Sequence, residues 1–188
     1  NLAYALTIKA ATEQVWLPAI RALRDRLRGL AEAGADVPML AHTHGQPATP
    51  VTVGKEMAVF AHRLSRQIRR VEATEYLGKI NGATGTWAAH VVSVPGADWP
   101  ALARAFVEGL GLTWNPLTTQ IESHDWQAEL YSDVARAGRI AHNLATDAWT
   151  YISMDSSTRT WLHRVRRVRQ RCRTRSTRSA SRTRRRTW

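Results

Sequence analysis

The sequence predicts an all-α fold, a bundle of long helices that is incomplete within this chain. Apolar side chains recur at steps of three and four residues over long stretches, which is the pattern of helices with one buried face. The segments between these stretches are rich in Gly, Pro, Thr or Asn, which favour turns and loops. Strands and helices do not alternate along the sequence, so a parallel sheet is not indicated.

Two predicted helices occupy the first part of the sequence. The first runs from Leu2 to about Ala33, and its apolar face is made of Trp16, Ile20, Leu23, Leu27 and Leu30. The second runs from about Gly54 to Leu77, and its apolar stripe is made of Met57, Phe60, Leu64, Ile68 and Val71. The basic residues of the second helix lie largely off that stripe, at Arg63, Arg66, Arg69 and Arg70.

Two further helices are predicted, and polar segments connect the four. A short third helix runs from Trp99 to about Leu110, with Asp98 as N-cap and Pro100 in the first turn. The fourth runs from Asp125 to Met154, with Ser or Asp near its start to cap it. Its apolar stripe is made of Trp126, Leu130, Val134, Ala137, Ala141, Leu144, Ala148 and Tyr151. The predicted connecting segments are residues 37–53, 78–95 and 111–122.

The predicted bundle lacks partners for its apolar faces. The first helix begins at residue 1 without a cap or an initiating Met, and long helices with one apolar face need further helices to cover it. We therefore expect a fragment of a longer protein or an obligate oligomer.

The positive charge of the chain is confined to one end. The sequence has 27 Lys and Arg against 15 Asp and Glu, a formal net charge of +12. Residues 155–188 hold 13 Arg and one acidic residue, so residues 1–154 are balanced in charge. This division predicts a helical-bundle domain over residues 1–154 and a separate Arg-rich tail over residues 155–188.

The sequence predicts a cytoplasmic protein. Charged residues interrupt every apolar stretch before it reaches the roughly 18 residues of a membrane span. The first residues do not have the basic and apolar regions of a secretion signal. The single cysteine, Cys172, rules out a disulfide within the chain and fits a reducing compartment.

The most concentrated polar segment surrounds His42 and His44, within LAHTHGQPATP. An H-x-H pair can begin a metal site, but no further ligand spacing completes one, so metal binding is disfavoured. In an extended segment the two histidines would share a face. Proton transfer by an imidazole, beside Thr and Gln groups suited to grip a carboxylate or amide, is the better functional interpretation. The alternative, which composition alone favours, is a loop whose polar groups bond to the local backbone.

Two other loops have a similar character. The segment KINGATGT, from Lys79 to Thr86, does not have the spacing of a phosphate-binding loop, and by itself it predicts a tight turn. The segment NPLTTQIE, from Asn115 to Glu122, places polar groups and a carboxylate just before a helix, and by itself it predicts a capping segment. No G-x-S-x-G motif supports a serine hydrolase. The isolated histidines predict surface or packed positions at His62, His90 and His142, and a helix start at His124.

These loops, in this order between long helices, resemble the adenylosuccinate lyases of the fumarase/aspartase superfamily. The matching strings are THGQPATP followed by GKEM, then GKINGA, then WNP with TTQIE and HD. The resemblance covers nearly all of residues 1–154. The HGQPATP and TTQIE strings distinguish it from resemblance to other lyases of the superfamily.

The resemblance implies a reaction and the residues that perform it. The expected reaction is the β-elimination of fumarate from adenylosuccinate, giving AMP, and from the succinyl-carboxamide ribotide of purine biosynthesis. His44 is the expected general acid, Thr43 lies beside it, and Gln120 contacts the substrate. The resemblance implies no metal or organic cofactor, and it implies a homotetramer whose active sites combine residues from several subunits.

The family's base is a serine on a loop with the sequence SSTMPHKVNP, after the helix that corresponds to residues 125–154. This chain has the Arg-rich tail there instead. Back-translation of residues 168–188 with freely chosen synonymous codons, read from the third base of the Val168 codon, can give SSTMPHKVNPIRFENAEANL. We therefore expect that the tail is an out-of-frame translation of the missing loop and that this chain alone is inactive.

Two alternatives stay open at the level of the sequence. The chain could be another lyase of the fumarase superfamily, which substrate competition would reveal. The Arg-rich tail could instead bind nucleic acid through phosphates, or it could be a solvated extension.

Overall fold

The structure, a computed structural model, describes residues 1–154 and is mostly helical. This confirms the predicted all-α class. The helices are α1 (Leu2–Ala11), α2 (Leu17–Ala33), α3 (Val53–Glu72), α4 (Ala88–Ser93), α5 (Trp99–Gly109) and α6 (Asp125–Ser153), with a π-helical segment at Thr12–Trp16. The strands are β1 (Pro38–Thr43), β2 (Gln46–Thr52), β3 (Leu77–Gly78) and β4 (Thr113–Trp114).

The chain divides into two compact units, which we describe separately. The first unit comprises Asn1–Gly29 and Val59–Ala141, and the second comprises Leu30–Ala58 together with the chain from His142. The Arg-rich tail predicted over residues 155–188 lies outside the described residues.

The core of the first unit includes parts of two predicted apolar stripes, Ile68 and Val71 of α3 and Trp126 and Leu130 of α6. Tyr76 and Trp126 pack edge to face, with ring centroids 5.5 Å apart. Each fully buried aliphatic or aromatic side chain contributes about 1.5–3 kcal/mol through the hydrophobic effect. The buried residues of this cluster are Ala5, Leu17, Ile68, Val71, Tyr76, Val107, Leu112, Trp126 and Leu130.

An ion pair between an exposed arginine and a buried aspartate also joins α3 to α6 in the first unit. The guanidinium Nε of Arg70 donates to the Asp133 carboxylate at 2.6 Å, and Arg136 lies 3.5 Å from the same oxygen. Asp133 is buried, and this hydrogen bond to its carboxylate raises the pKa of Arg70. The apolar stripe predicted for the last helix therefore includes a carboxylate that the spacing of the apolar residues did not identify.

The second unit contains the end of α2, the β1–β2 hairpin and the start of α3. The amide of Gly54 donates to the carbonyl of Gly34 at 2.8 Å, and the amide of Val53 donates to the carbonyl of Val37 at 2.9 Å. A Cβ atom at Gly54 would lie 2.3 Å from the carbonyl oxygen of Ala31. Glycine at this position therefore permits the close approach of the two helix ends.

The predicted helix bounds agree with the structure, with two exceptions. The helix predicted to reach Leu77 ends at Glu72, because residues 77–78 pair in parallel with residues 113–114. The short helix α4 lies inside the segment predicted as a loop. Asp98 is the N-cap of α5, and its side chain accepts a hydrogen bond from the amide of Ala101, as the sequence predicted.

The prediction that residues 37–53 form only a connecting loop is wrong, because this segment forms the β1–β2 hairpin. Only Met39 is buried among the residues of the two strands, so the period-two apolar signal of a strand is missing. Within residues 1–154, no helix has the length and apolar character to cross a membrane.

Candidate active site

The β1–β2 hairpin holds His44 at its tip. Thr43 and Gln46 are the last paired residues of the strands, which leaves His44 and Gly45 as the two residues of the turn. Both have positive φ, 51° at His44 and 74° at Gly45, as in the type I′ turns that are common in two-residue hairpin loops. A non-glycine residue is uncommon in this region, although His is among the residues enriched there. The turn presents His44 and Thr43 as exposed residues.

The backbone at His44 is not in the extended conformation that would place His42 and His44 on one face. His42 pairs with Pro47 inside the ladder, whereas the positive φ of His44 turns the chain out of the strand direction. The ladder is irregular between Leu40 and His42, which also disturbs the alternation of faces. Residues 1–154 contain no group of three or more His, Cys, Asp or Glu residues that could hold a metal ion.

The second and third polar segments lie side by side in the first unit. The β3–β4 pairing brings them together, and the amide of Asn115 donates to the carbonyl of Gly78 at 2.8 Å. Just beyond the pairing, the ammonium of Lys79 donates to the carbonyl oxygens of Thr119 at 2.9 Å and Gln120 at 2.6 Å. The two segments, which are predicted separately as a tight turn and a capping segment, therefore form one structure.

Asn81 and Gly85 support the same loop. The side-chain amide of Asn81 donates to the Thr118 hydroxyl at 2.7 Å. Gly82 and Gly85 both have positive φ, and the amide of Gly85 donates to the carbonyl of Gly82 at 3.4 Å, which confirms the predicted tight turn. A Cβ atom at Gly85 would lie 1.9 Å from the carbonyl oxygen of Thr118, so this contact requires glycine.

Glu122 organises the far end of the loop through a buried carboxylate. Only 2% of Glu122 is exposed, and its carboxylate accepts hydrogen bonds from the side chain of Asn115 at 3.0 Å, the amide of His124 at 2.6 Å and the indole of Trp126 at 3.2 Å. His124 has a φ of 63°, and its carbonyl accepts the amide of Gln127. His124 thus lies at the start of α6, as the sequence allowed, whereas Glu122 binds the residue before the helix and the Trp126 indole instead of capping the backbone amides of the first turn.

Gln120 is exposed between these two supports, while its carbonyl oxygen is bound to buried Lys79. A surface cavity of about 350 Å³ lies against the same loop, lined by Leu117, Thr118, Thr119, Ile121 and Ser123. Gln120 belongs to the first unit, and Thr43 and His44 belong to the second.

The motifs in the sequence did not indicate the roles of Lys79 and Asn81. Only 7% of Lys79 and 3% of Asn81 are exposed. Burial lowers the pKa of the Lys79 ammonium, because the protein interior disfavours the charged form. Lys79 and Asn81 are two residues apart, so both side chains lie on one face of an extended segment. This spacing could have indicated that they bind the same loop, residues 118–120.

The other histidines lie where the sequence predicted surface or packed residues. His62 and His142 are exposed on helices. His90 is partly buried and packs edge to face against Trp87 and Trp99, with ring centroids 5.2 and 5.0 Å away.

Comparison with known proteins identifies the family. A family model described as lyase matches residues 1–161. The chain belongs to this lyase family. It is 48% identical to the adenylosuccinate lyase of Escherichia coli (strain K12) over 155 residues, which cover 82% of this chain and 34% of that relative. It is 47% identical to the adenylosuccinate lyase of Vibrio cholerae over the same length, with the same coverage of each chain.

A solved lyase structure has the same fold. The fumarate lyase from Mesorhizobium sp. BNC1 superposes with a TM-score of 0.67 and 26% identity, over 80% of this chain and 35% of that one. These matches confirm the resemblance to adenylosuccinate lyases of the fumarase/aspartase superfamily. The chain spans about a third of the length of the curated relatives that it matches.

Proposed function

We propose that residues 1–154 carry part of the active site of an adenylosuccinate lyase. The reaction is the elimination of fumarate from adenylosuccinate, giving AMP, and from the succinyl-carboxamide ribotide of purine biosynthesis. The observation that carries the proposal is the exposed His44 at the tip of the THGQPATP hairpin, in a chain that is 48% identical to an adenylosuccinate lyase.

His44 acts as the general acid in this proposal. A base removes a proton from a carbon of the succinyl group, and the resulting negative charge spreads into the neighbouring carboxylate. The carbon–nitrogen bond then breaks as the fumarate double bond forms, and the imidazolium of His44 donates a proton to the departing nitrogen. The resemblance assigns the base to a serine loop beyond the α6 helix.

Thr43 and Gln120 bind the substrate. A hydroxyl and a side-chain amide can donate to a substrate carboxylate, and donors placed where charge develops stabilise the transition state. Both residues are exposed, so a ligand can reach them without displacing the core. The chemistry that these residues supply requires no metal ion or organic cofactor.

The protein is proposed to act in the cytoplasm as a homotetramer, in which neighbouring subunits complete each active site. Exposed apolar side chains on the helices of the first unit support an extended protein interface. They include Leu102 and Phe106 of α5 and Tyr131 of α6, each more than half exposed.

A chimera tests the proposed function. Residues 1–154 replace the aligned residues of the Escherichia coli adenylosuccinate lyase, with which this chain shares 48% identity. The purified chimera is expected to release fumarate from adenylosuccinate and from the succinyl-carboxamide ribotide, as followed by the absorbance change of each reaction. The unmodified Escherichia coli enzyme is the positive control.

A folded, assembled chimera that releases no fumarate would contradict the proposal. Circular dichroism and sedimentation establish folding and assembly before the assay. If the chimera does not fold, a smaller exchange that transplants only residues 37–53, 78–95 and 111–124 into the same enzyme gives the same test. Faster cleavage of aspartate or malate than of the succinyl substrates would favour another lyase of the superfamily.

Nucleic-acid binding is not proposed. That alternative rests on the Arg-rich tail, which lies outside the described residues, and the relatives reported above are lyases.

A further inference from the structure

We propose that Lys79 is a positioning residue, whose buried ammonium fixes the backbone of Thr119 and Gln120 so that the Gln120 side chain is aimed at the substrate. This inference rests on the proposed function, in which Gln120 contacts the substrate. It extends that function to a residue that acts through the loop without touching the substrate itself.

The stereochemistry of the contact supports the inference. The Cα atom of Gln120 lies between two peptide planes, one carrying the Thr119 carbonyl and the other carrying the Gln120 carbonyl. Lys79 Nζ donates to both oxygens, at 2.9 and 2.6 Å. Because one ammonium holds both planes, it also fixes the direction of the Cα–Cβ bond between them. The side chain of Gln120 therefore starts from a fixed point and direction.

Neighbouring contacts hold Thr118, the residue before Thr119 and Gln120. Asn81 binds the Thr118 hydroxyl at 2.7 Å, and the Cα of Gly85 packs against the Thr118 carbonyl. The Oδ1 atom of Asn81 is buried and has no hydrogen-bond partner among the described residues. The Asn81 and Gly85 contacts together hold Thr118 at the start of the segment that Lys79 binds.

The charge of Lys79 supports a role other than stability. Lys79 is 7% exposed, and within residues 1–154 no carboxylate lies within 4 Å of its ammonium. Burying a cation against neutral carbonyl groups is costly compared with burying an apolar side chain. A cation beneath the loop also favours an anionic ligand above it, and a succinyl nucleotide carries carboxylates and a phosphate.

A double-mutant cycle in the chimera tests whether Lys79 acts through Gln120. Gln120→Ala is expected to lower kcat/KM by about 10–100-fold, because it removes a hydrogen bond to a charged group. Lys79→Met is expected to lower kcat/KM by about tenfold in the parent chimera, and by less than about twofold when Gln120 is already Ala. A merely structural role for Lys79 would give the same fold-loss in both backgrounds.

Lys9→Met is the matched control. Lys9 is also a lysine of the first unit whose ammonium donates to a backbone carbonyl, that of Gly111. Its loss is expected to leave kcat/KM unchanged. Lys79→Arg is expected to retain part of the activity that Lys79→Met loses, because Arg restores a cationic donor, and it replaces Met in the cycle if the Met variant does not fold.

Two results would overturn the inference: losses of kcat/KM at Lys79 and Gln120 that multiply independently, or an unchanged kcat/KM in Lys79→Met. Neither result would contradict the proposed function, because the parent chimera is active in both cases. A folded parent chimera without activity would contradict the proposed function alone. In that case crystal structures of the parent chimera and of its Lys79→Met variant show the loop directly. A Thr118–Gln120 backbone in the same position in both would refute the positioning role.

Discussion

His44 combines two properties that packing alone does not explain. Its backbone has a φ of 51°, a region that disfavours residues with a Cβ atom, and its side chain is exposed. Asn or Gly would satisfy the turn with less strain. Strained backbone of this kind concentrates at functional sites, where the surrounding structure holds it in place. The conformation of the hairpin therefore agrees with a chemical role for the imidazole.

His44→Asn is expected to lower kcat of the chimera by about 10²–10⁴-fold, the usual contribution of a general acid. Asn tolerates positive φ, so the substitution removes the titrating group and keeps the turn. His42→Asn, two residues away and exposed in β1, is the control and is expected to retain activity. Steady-state kinetics on adenylosuccinate measure both variants. Undiminished turnover in His44→Asn would exclude His44 as the acid.

Tyr151 gives a prediction about pH. Burial, together with the nearby carboxylates of Glu56 and Asp147, raises the pKa of Tyr151 to about 12. The folded state therefore keeps the proton more tightly than the unfolded state, in which the phenol has a pKa of about 10. The stabilisation from this group is complete below pH 10 and is lost as the pH rises through 12.

The ultraviolet absorbance of tyrosinate measures this shift. The difference between the titrations of the chimera and its Tyr151→Phe variant isolates one phenol, whose midpoint is expected near pH 12. Glu56→Gln is expected to lower that midpoint, because it removes a negative charge whose carboxylate lies 3.4 Å from the phenol oxygen. A midpoint near pH 10 in the parent chimera would show that burial and the nearby carboxylates do not raise the pKa of Tyr151.

At the scale of elements, the sequence specifies helices well and short strands poorly. The stripe from Met57 to Val71 is buried as predicted, because apolar residues at steps of three and four fix one face of α3. The hairpin has no comparable signal, since its strands contain Pro38, Pro47 and Pro50 and bury little. The β3–β4 pair is two residues long and depends on contacts across more than thirty residues of chain.

In the candidate site as well, the sequence indicates the residues of local motifs and not the contacts between distant segments. Short sequence motifs predict His44, Thr43 and Gln120 as site residues, because each motif consists of neighbouring residues. The contact from Lys79 to Thr119 joins residues 40 positions apart, and neither segment alone indicates the other. Sequence reasoning therefore identifies candidate residues that touch the substrate more readily than those that position them.

The helix ends around Gly54 give a prediction of stability. Gly54→Ala would place a Cβ atom 2.3 Å from the Ala31 oxygen and 2.6 Å from the Ala35 nitrogen, and both neighbours are backbone atoms that cannot rotate away. It is expected to lower the free energy of unfolding by about 3 kcal/mol or more. Gly138→Ala, in the middle of α6 with no atom within 4 Å of the added carbon, is expected to raise it by about 0.5–1 kcal/mol.

Urea denaturation of the chimera followed by circular dichroism compares the two glycine variants. Both variants replace a helical glycine by alanine, and their difference in added contacts is far larger than the difference in helix propensity between a first turn and a helix interior. Similar unfolding free energies for the two variants would contradict the close approach of the α2 and α3 ends.

At the scale of the whole molecule, the side chains proposed to act on the substrate are all exposed within this chain. Thr43, His44 and Gln120 have water around them, although acid–base elimination needs donors fixed in a site that excludes water. The chain also spans about a third of the length of its curated relatives. In the proposed homotetramer, we expect other parts of the enzyme and neighbouring subunits to supply the remaining surface of the proposed site.

The isolated 188-residue chain is accordingly expected to release no measurable fumarate from adenylosuccinate, at concentrations where the chimera turns over readily. The two proteins share the proposed acid, His44, and the glutamine proposed to contact the substrate, Gln120, so the comparison isolates what the rest of the enzyme supplies. Circular dichroism of the isolated chain reports whether its helices form, and the absorbance change of the reaction reports activity. Fumarate release by the isolated chain that His44→Asn abolishes would show that these residues form a working site without the rest of the enzyme.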